Sequence, residues 1–281
     1  MFKKKIIALI LVSCSINCVH SQDLAGPDTV SVLSGKLVLK GLIWFPASTG
    51  KFPAIIFCHG SYEDSDTAHD PLRETSLLGH VFASKGYIFF VLFRRGVALS
   101  GREGVNSTVL MNNALKEKGQ EARNRVQLQQ LEGDQLKDMI SGIRFLEKTK
   151  GVDKNRMAIM GHSFGASLSL LVAEHRQNVK AVVAFSPGGY SWDHSFQLRV
   201  RLIAAAKNIS APVMIIHARN DYSINPGRVL DSMMNQNKKS HELKIYPDSG
   251  KSPDEGHNLI FKNINTWKTD VFEFLDKTLR H

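Results

Sequence analysis

Short runs of apolar residues alternate along this chain with segments in which apolar residues recur every three or four positions. Continuous apolar runs of roughly four to eight residues predict buried β-strands. Seven strands are predicted, at Lys36–Phe45, Phe52–Cys58, Tyr87–Phe93, Met157–Met160, Ala181–Phe185, Val213–His217 and Leu243–Tyr246. Strands that are apolar throughout need cover on both faces, and helical segments separate them here. The predicted fold class is therefore α/β, with a mostly parallel central sheet and helices on both faces.

The helical segments differ in how much of their surface is apolar. From Leu136 to Leu146 the apolar residues form one stripe, which is typical of an amphipathic helix. Phe164 to Ala173 is small and apolar on all sides, and Trp267 to Leu279 forms a closing amphipathic helix. Gly96 to Arg125 is polar, and it is long for a connection within a compact domain. We expect it to be either a solvated insertion or a wall or lid over a site.

The amino-terminal residues form a separate unit. Three lysines precede the apolar run Ile6 to Val12, which is too short to span a bilayer and is typical of a secretory signal peptide. Cleavage before Gln22 predicts a signal peptide of residues 1–21 and a single folded domain of residues 22–281. Alternatively, the four residues ending at Cys14 resemble a lipobox, which predicts a leader ending before that cysteine and a lipid anchor on it. Either processing predicts an exported protein, periplasmic or extracellular.

Composition and charge narrow the class of protein. The 281 residues are 43% hydrophobic and 22% charged, an ordinary globular composition. The formal net charge of +10 falls to +7 without the three leader lysines. The remaining basic residues are scattered, so no nucleic-acid partner is expected. The histidines show no zinc-type spacing and no Gly-rich loop follows a strand, so no metal or cofactor is expected. Outside the leader the one cysteine is Cys58, whose apolar neighbours predict a small buried residue rather than a nucleophile.

The motif Gly161-His162-Ser163-Phe164-Gly165 joins a predicted strand directly to a predicted helix. In that context G-x-S-x-G places a serine on a strained turn above the carboxyl edge of the sheet, where α/β proteins carry their reactive groups. The glycines allow close approach of the backbone, and the helix amino terminus favours developing negative charge. The pattern predicts Ser163 as a nucleophile.

Four stretches of the chain carry a wider resemblance: Pro53–Gly60, Asp153–Gly165, Ile215–Asp221 and Gly256–His257. In this order they are similar to the α/β-hydrolase superfamily, in particular to its branch of dienelactone hydrolases and prolyl-oligopeptidase-like esterases. The resemblance spans nearly all of the chain after the leader. It implies the α/β-hydrolase fold and a serine hydrolase that needs no cofactor.

A serine hydroxyl becomes a nucleophile when an adjacent base, oriented by a carboxylate, takes its proton. In this superfamily the chain order is serine, acid, histidine. Asp221 and His257 follow Ser163 in that order, each on a loop after a predicted strand. They are therefore the predicted acid and base of a catalytic triad.

Other titratable residues near the predicted acid and base have simpler interpretations. Asp248, Asp254 and Glu255 follow no predicted strand end and are expected in solvated turns. His217 lies inside a predicted strand and is expected to be a core residue. His241 precedes the last strand and is expected to face solvent.

The tetrahedral intermediate of acyl transfer also needs hydrogen-bond donors for its oxyanion. The backbone N–H of Phe164, which follows the nucleophile, is one predicted donor. The resemblance implies that the other is the backbone N–H of Ser61, with Tyr62 as the alternative. In the same loop His59 is expected to be structural rather than a base. His162 is expected to support or line the turn at the nucleophile.

The resemblance favours carboxylic esters, and export suggests a small-molecule or glycan-borne ester as substrate. The segment between Ala184 and Pro212, where many relatives insert a cap, is short and holds one predicted helix, Phe196 to Lys207. A small cap predicts an open site for a short acyl group. A serine peptidase of the prolyl-oligopeptidase type is one alternative, although the chain before Phe52 is expected to be too short for a propeller. A non-catalytic binding protein on the same scaffold is another, against which the complete triad argues.

Overall fold

The computed structural model of the protein describes residues 26–62, 69–176 and 178–280. The predicted leader, with Cys14, lies outside these residues. Eight strands form one sheet in the order β1-β2-β4-β3-β5-β6-β7-β8. The strands are β1 (Asp28–Ser34), β2 (Leu37–Trp44), β3 (Phe52–Cys58), β4 (Ile88–Leu92), β5 (Val152–His162), β6 (Val179–Phe185), β7 (Val213–Ala218) and β8 (His241–Tyr246). β1 and β2 pair antiparallel with their neighbours, and every pair from β4 to β8 is parallel.

Helices cover both faces of the sheet, which confirms the predicted fold class. They are α1 (Pro71–Ser84), α2 (Ser107–Glu132), α3 (Asp134–Lys148), α4 (Phe164–His175), α5 (Ser191–His194), α6 (Phe196–Asn208), α7 (Asn225–Gln236), α8 (Pro253–His257), α9 (Leu259–Lys262) and α10 (Ile264–Leu279). Buried side chains of α2, α3, α4, α6 and α7 pack in one apolar cluster, and those of α1, α9 and α10 pack in a second. No helix in the described part of the chain is long and apolar enough to cross a membrane.

All seven predicted strands are present, but β1 was not predicted. It is an edge strand that pairs with β2 alone. Its side chains alternate: Val32 and Ser34 are buried, whereas Ser31 and Leu33 are exposed. A strand with one face in solvent lacks the continuous apolar run that marks the central strands.

The polar segment Gly96–Arg125, expected to be a solvated insertion or a wall or lid over a site, is mostly helical. A short 3₁₀ turn, Ala98–Ser100, leads into α2, which is bent at Gly119, where φ is 78°. The bent helix packs against α3 and α6. Arg123 on α2 donates a hydrogen bond of 3.2 Å to Ser191 at the start of α5. The segment therefore forms part of the helical layer and supports α5.

The parallel strands bring four loops to one edge of the sheet. β3, β5 and β7 all end at this edge, and the loop after β8 returns to it through α8. In open α/β sheets reactive groups gather at the carboxyl edge. The predicted nucleophile, acid, base and oxyanion loop follow β5, β7, β8 and β3 respectively, so the topology alone places them near one another.

Candidate active site

Ser163 lies on the turn between β5 and α4 in a strained backbone conformation. Its φ is 55° and its ψ is −119°, a combination that costs a residue with a side chain about 1–3 kcal/mol. Two glycines make the turn sterically feasible. A Cβ on Gly165 would lie 2.0 Å from the carbonyl oxygen of Cys58, and one on Gly161 would lie 2.3 Å from that of Gly165. The glycines of the motif are therefore required for α4 to approach β3 and β5.

Ser163, Asp221 and His257 come together at the carboxyl edge. His257 Nε2 is 2.8 Å from Ser163 Oγ, and His257 Nδ1 is 2.7 Å from Asp221 Oδ1. An ionised carboxylate only accepts hydrogen bonds, so Nδ1 carries a ring hydrogen, and Nε2 faces the serine hydroxyl. His257 is held at the end of α8, a short helix that begins with a capping box between Ser252 and Glu255.

A second histidine holds the other oxygen of the Asp221 carboxylate. The fully buried His217, near the end of β7, has its Nδ1 2.7 Å from Asp221 Oδ2. The backbone N–H of Tyr222 donates to Oδ1 at 2.7 Å. Burial would raise the pKa of Asp221, but the hydrogen bonds from His217 and His257 outweigh it and hold that pKa well below its usual value. His217 is a core residue, as expected; its contact with the acid was not predicted.

His162 lies buried beneath His257. Its Nε2 is 2.9 Å from the carbonyl oxygen of His257, to which it donates. Burial, reinforced by the nearby His257, lowers the pKa of His162 to about 3. The ring is therefore neutral at physiological pH and supports the backbone that carries the candidate base.

The two predicted oxyanion donors, Ser61 and Phe164, border Ser163. Phe164 is the first residue of α4, where backbone N–H groups have no partner within the helix. Ser61 lines a cavity of about 140 Å³ that opens onto Ser163, as does Tyr62, the alternative donor. The described residues that line this cavity are Gly60, Ser61, Tyr62, His69, Glu74, His162, Ser163, Tyr222, Asp254, His257 and Asn258. A separate surface groove of about 510 Å³, between the β1–β2 turn and α3, includes none of the three triad residues.

His59 is fully buried behind the oxyanion loop. Its Nε2 accepts the backbone N–H of Arg94 at 3.1 Å. That bond leaves Nδ1 to carry the ring hydrogen, which is donated to the carbonyl oxygen of Gly60 at 2.9 Å. Burial and the charge of Arg94 hold the pKa of His59 well below its ordinary value. The ring is a neutral brace for the loop and has no contact with Ser163 that would make it a base.

The other acidic residues and the histidine that were expected in solvated positions differ in their surroundings. Asp248 forms a surface ion pair and Glu255 caps α8. Asp254 is half-exposed in the first turn of α8, but it also lines the cavity at Ser163. The expectation that His241 faces solvent is wrong. Its side chain is 7% exposed, with Nε2 3.1 Å from Asp231 Oδ1, because α7 packs over β8.

Cys58 lies in the core at the end of β3 and is fully buried. Burial raises the pKa of the Cys58 thiol to about 11, so the sulfur is protonated and unreactive. Within residues 26–62, 69–176 and 178–280, no group of three or more His, Cys, Asp or Glu side chains has an arrangement that could hold a metal ion.

A mostly parallel eight-stranded sheet with a serine turn between β5 and α4 is the α/β-hydrolase fold. The chain belongs to the dienelactone hydrolase family, whose model matches residues 39–253.

The proteins that this chain resembles include both peptidases and an esterase. The chain is 22% identical over 276 residues to dipeptidyl-peptidase 5 of Porphyromonas endodontalis. The match covers 86% of this chain and 36% of that protein. It is 27% identical over 150 residues to esterase EstD of Thermotoga maritima, covering 53% of this chain and 30% of that protein. The solved acylaminoacyl peptidase of Pyrococcus horikoshii superimposes with a TM-score of 0.64 at 18% identity, covering 91% of this chain and 42% of that one. The chain thus spans less than half the length of each, and the structural likeness shows the fold alone.

Proposed function

We propose that this protein is a serine hydrolase that cleaves carboxylic esters through an acyl-enzyme on Ser163. The supporting observation is the continuous hydrogen-bonded chain from Ser163 Oγ through His257 to Asp221, beside a cavity that reaches the serine. A buried, ionised acid that orients a histidine toward a strained serine is the arrangement that nucleophilic acyl transfer needs.

Each step of the proposed reaction uses a group in this site. His257 Nε2 takes the hydroxyl proton as Ser163 Oγ attacks the ester carbonyl carbon. The carbonyl electron pair moves onto oxygen, and the N–H groups of Ser61 and Phe164 stabilise the oxyanion. When the bond to the alcohol breaks, His257 returns its proton to the leaving oxygen. Water then loses a proton to His257, attacks the acyl-enzyme, and releases the carboxylic acid and free Ser163.

The cavity supports a neutral ester with a short acyl group. Its volume of about 140 Å³ leaves little room for a long chain. Among the described residues that line it, Glu74 and Asp254 are acidic and none is lysine or arginine. A substrate that carries a carboxylate near its ester bond would meet like charges. Uncharged small-molecule or glycan-borne esters fit this lining better.

The test is hydrolysis of p-nitrophenyl acetate, butyrate and octanoate, with fluorophosphonate labelling beside it. Ser163→Ala should lower kcat by about 10⁴-fold or more, because the nucleophile is lost, and should abolish labelling. The exposed Ser84→Ala serves as the matched control and should keep both. Octanoate should be the poorest of the three substrates. Turnover that persists in Ser163→Ala contradicts the mechanism, and folded wild-type protein with neither labelling nor turnover favours a binding protein instead.

Peptide hydrolysis is the second candidate, because a dipeptidyl-peptidase and an acylaminoacyl peptidase are among the proteins that this chain resembles. The same triad cleaves amides when the leaving amine is protonated by the histidine. Aminoacyl and dipeptidyl p-nitroanilides should be turned over far more slowly than p-nitrophenyl butyrate. Comparable kcat/KM values for amide and ester would replace the esterase proposal by a peptidase.

We propose in addition that the protein is exported. The support is the amino-terminal sequence, in which three lysines precede a short apolar run. Mass spectrometry of the mature amino terminus tests it. A start at Gln22 supports secretion, and an acylated Cys14 supports a lipoprotein in the periplasm or at the cell surface. An intact terminus on protein retained in the cytoplasm contradicts export.

A further inference from the structure

Arg94, two residues after β4, is 1% exposed, yet its guanidinium contacts only uncharged groups. Nε donates to Gln135 Oε1 at 2.7 Å, Nη1 to the carbonyl oxygen of His59 at 2.7 Å, and Nη2 to that of Gly60 at 3.0 Å. Burial lowers its pKa to about 10, so the group is still positive at neutral pH. A buried cation is costly unless something compensates its charge.

The next residue, Arg95, contacts two carboxylates directly. Arg95 forms ion pairs with Asp138 at 2.7 Å and with Asp134 at 2.6 Å. Within the described part of the chain, no carboxylate oxygen lies within 4.0 Å of the Arg94 guanidinium. The fold thus pairs Arg95 directly with carboxylates, whereas the buried Arg94 has no carboxylate in direct contact and feels the charge of Asp138 from farther away.

The contacts of Arg94 determine the direction of the oxyanion loop. In a trans peptide the C=O and the next N–H point to opposite sides. Because Arg94 holds the carbonyl oxygen of Gly60, the N–H of Ser61 points away from Arg94, and Ser61 lines the cavity at Ser163. His59 Nδ1–H donates to the same carbonyl oxygen, so two donors anchor this peptide from behind.

The second predicted donor is also in contact with Arg94. The guanidinium carbon lies 5.3 Å from the centroid of the Phe164 ring, within the range of a cation–π interaction. Arg94 therefore contacts both predicted oxyanion donors. It contacts the ring of Phe164 directly, and it contacts the peptide between Gly60 and Ser61 that orients the N–H of Ser61.

We propose that Arg94 is the positioning residue of the oxyanion hole and that the oxyanion adds negative charge near a guanidinium that no carboxylate contacts directly. It holds the N–H of Ser61 in place before a substrate binds, and it places a positive charge one peptide behind the oxygen that becomes negative. In a water-poor site such a charge stabilises the transition state more than the neutral ester, so it acts on kcat rather than on KM. This inference rests on the serine hydrolase proposed above.

The experiment compares Arg94→Met and Arg94→Lys with the wild-type protein, using kcat and KM for p-nitrophenyl butyrate. Arg94→Met should lower kcat by about 100-fold while KM changes less than about threefold, an effect near that of losing an oxyanion donor. Arg94→Lys keeps the charge but loses the planar fork, and should lower kcat by about tenfold. The affinity of a trifluoromethyl ketone, which forms an oxyanion on Ser163, should fall by the same factors.

Arg201→Met is the matched control, because Arg201 on α6 forms ion pairs with Glu132 and Glu174 far along the chain from the loop. It should lower the melting temperature without changing kcat. The proposal is overturned if Arg94→Met folds and its kcat stays within threefold of wild type. It is also overturned if kcat and KM change no more in Arg94→Met than they do in Arg201→Met.

If Arg94→Met does not fold, Arg94→Lys decides, and a kcat within twofold of wild type overturns the proposal. Wild-type protein that shows neither turnover nor fluorophosphonate labelling overturns the proposed function and this inference together. Wild-type activity with unaffected Arg94 variants overturns this inference alone.

Discussion

Three hydrogen-bond donors surround the side chain of Asp221. His217 and His257 each donate to one carboxylate oxygen, and the backbone N–H of Tyr222 donates as well. The ring of His217 packs against Gly227, where a Cβ would lie 2.8 Å from His217 Cδ2. A side chain at position 227 would clash with this ring, and the three hydrogen bonds orient the carboxylate toward His257.

Replacing His217 by Phe should therefore impair the acid without touching the nucleophile. One of the two bonds that lower the pKa of Asp221 disappears, so that pKa rises and the carboxylate takes up a proton at a higher pH than in the wild type. We expect kcat to fall about tenfold and the acid side of the kcat/KM profile to move to higher pH. His217→Asn, whose amide can donate, should recover part of both effects. A profile between pH 4 and 9 that superimposes on wild type would contradict this role.

At this scale the sequence predicts the candidate nucleophile, acid and base but not the residues that hold them in place. Ser163 can be predicted because it lies in a G-x-S-x-G motif. Asp221 and His257 can be predicted because they follow it in the order serine, acid, histidine. Arg94 contacts His59 across 35 positions of the chain, and no local pattern encodes such a contact. His217 lies inside an apolar strand, where a core position is the expectation and a contact across the following turn is invisible.

Among the secondary-structure elements, the central strands are predictable because they are apolar on both faces, whereas α2 is not. Only Met111, Ala122 and Leu131 are buried apolar residues among its 26 residues, and its buried face also contains Asn124 and Gln127. A helix whose buried contacts are polar has no apolar stripe for periodicity to detect. The structure shows what those polar residues contact, and this gives the helix a place in the site.

α2 holds the segment that borders the triad. Arg123 and Gln127 donate to Ser191 Oγ at 3.2 and 3.0 Å. Two positions before Ser191, Gly189 packs so closely that a Cβ would lie 2.9 Å from His257 Cε1. The polar face of α2 thus fixes α5 and, through it, the wall beside the candidate base.

Ser191→Ala tests this support. It leaves the amide of Gln127 and the guanidinium of Arg123 without their acceptor, which should lower the free energy of unfolding by about 1–2 kcal/mol. Amide hydrogen exchange should become faster in residues 186–195 and stay unchanged in β5 and β6. Ser232→Ala, which removes an exposed hydrogen bond to Gln236 on α7, is the control and should change neither quantity. Equal exchange of residues 186–195 in wild type and Ser191→Ala would contradict the support.

In the molecule as a whole, two site histidines connect catalytic geometry with stability toward acid. Burial lowers the pKa of His162 to about 3 and holds that of His59 well below its ordinary value. An unfolded chain binds a proton at each ring near pH 6.5, whereas the folded chain does not. Between the two pKa values the unfolded state holds more protons, so the free energy of unfolding decreases as the pH falls. The lowered pKa of Asp221 acts in a different window, because its contribution is lost only below about pH 3.9.

We expect the free energy of unfolding to fall by roughly 2–3 kcal/mol between pH 7 and pH 4.5 through His162 alone, and His59 acts in the same direction. A loss of that size is a large fraction of the total stability of an ordinary domain, about 5–15 kcal/mol. Urea unfolding at pH 7, 6, 5 and 4.5 measures the slope. His162→Gln keeps a donor for the carbonyl of His257 but cannot titrate, so it should make the slope shallower; an unchanged slope would contradict the assignment. Because His59 braces the oxyanion loop and His162 supports the backbone of His257, acid should disrupt the site and the fold in one step.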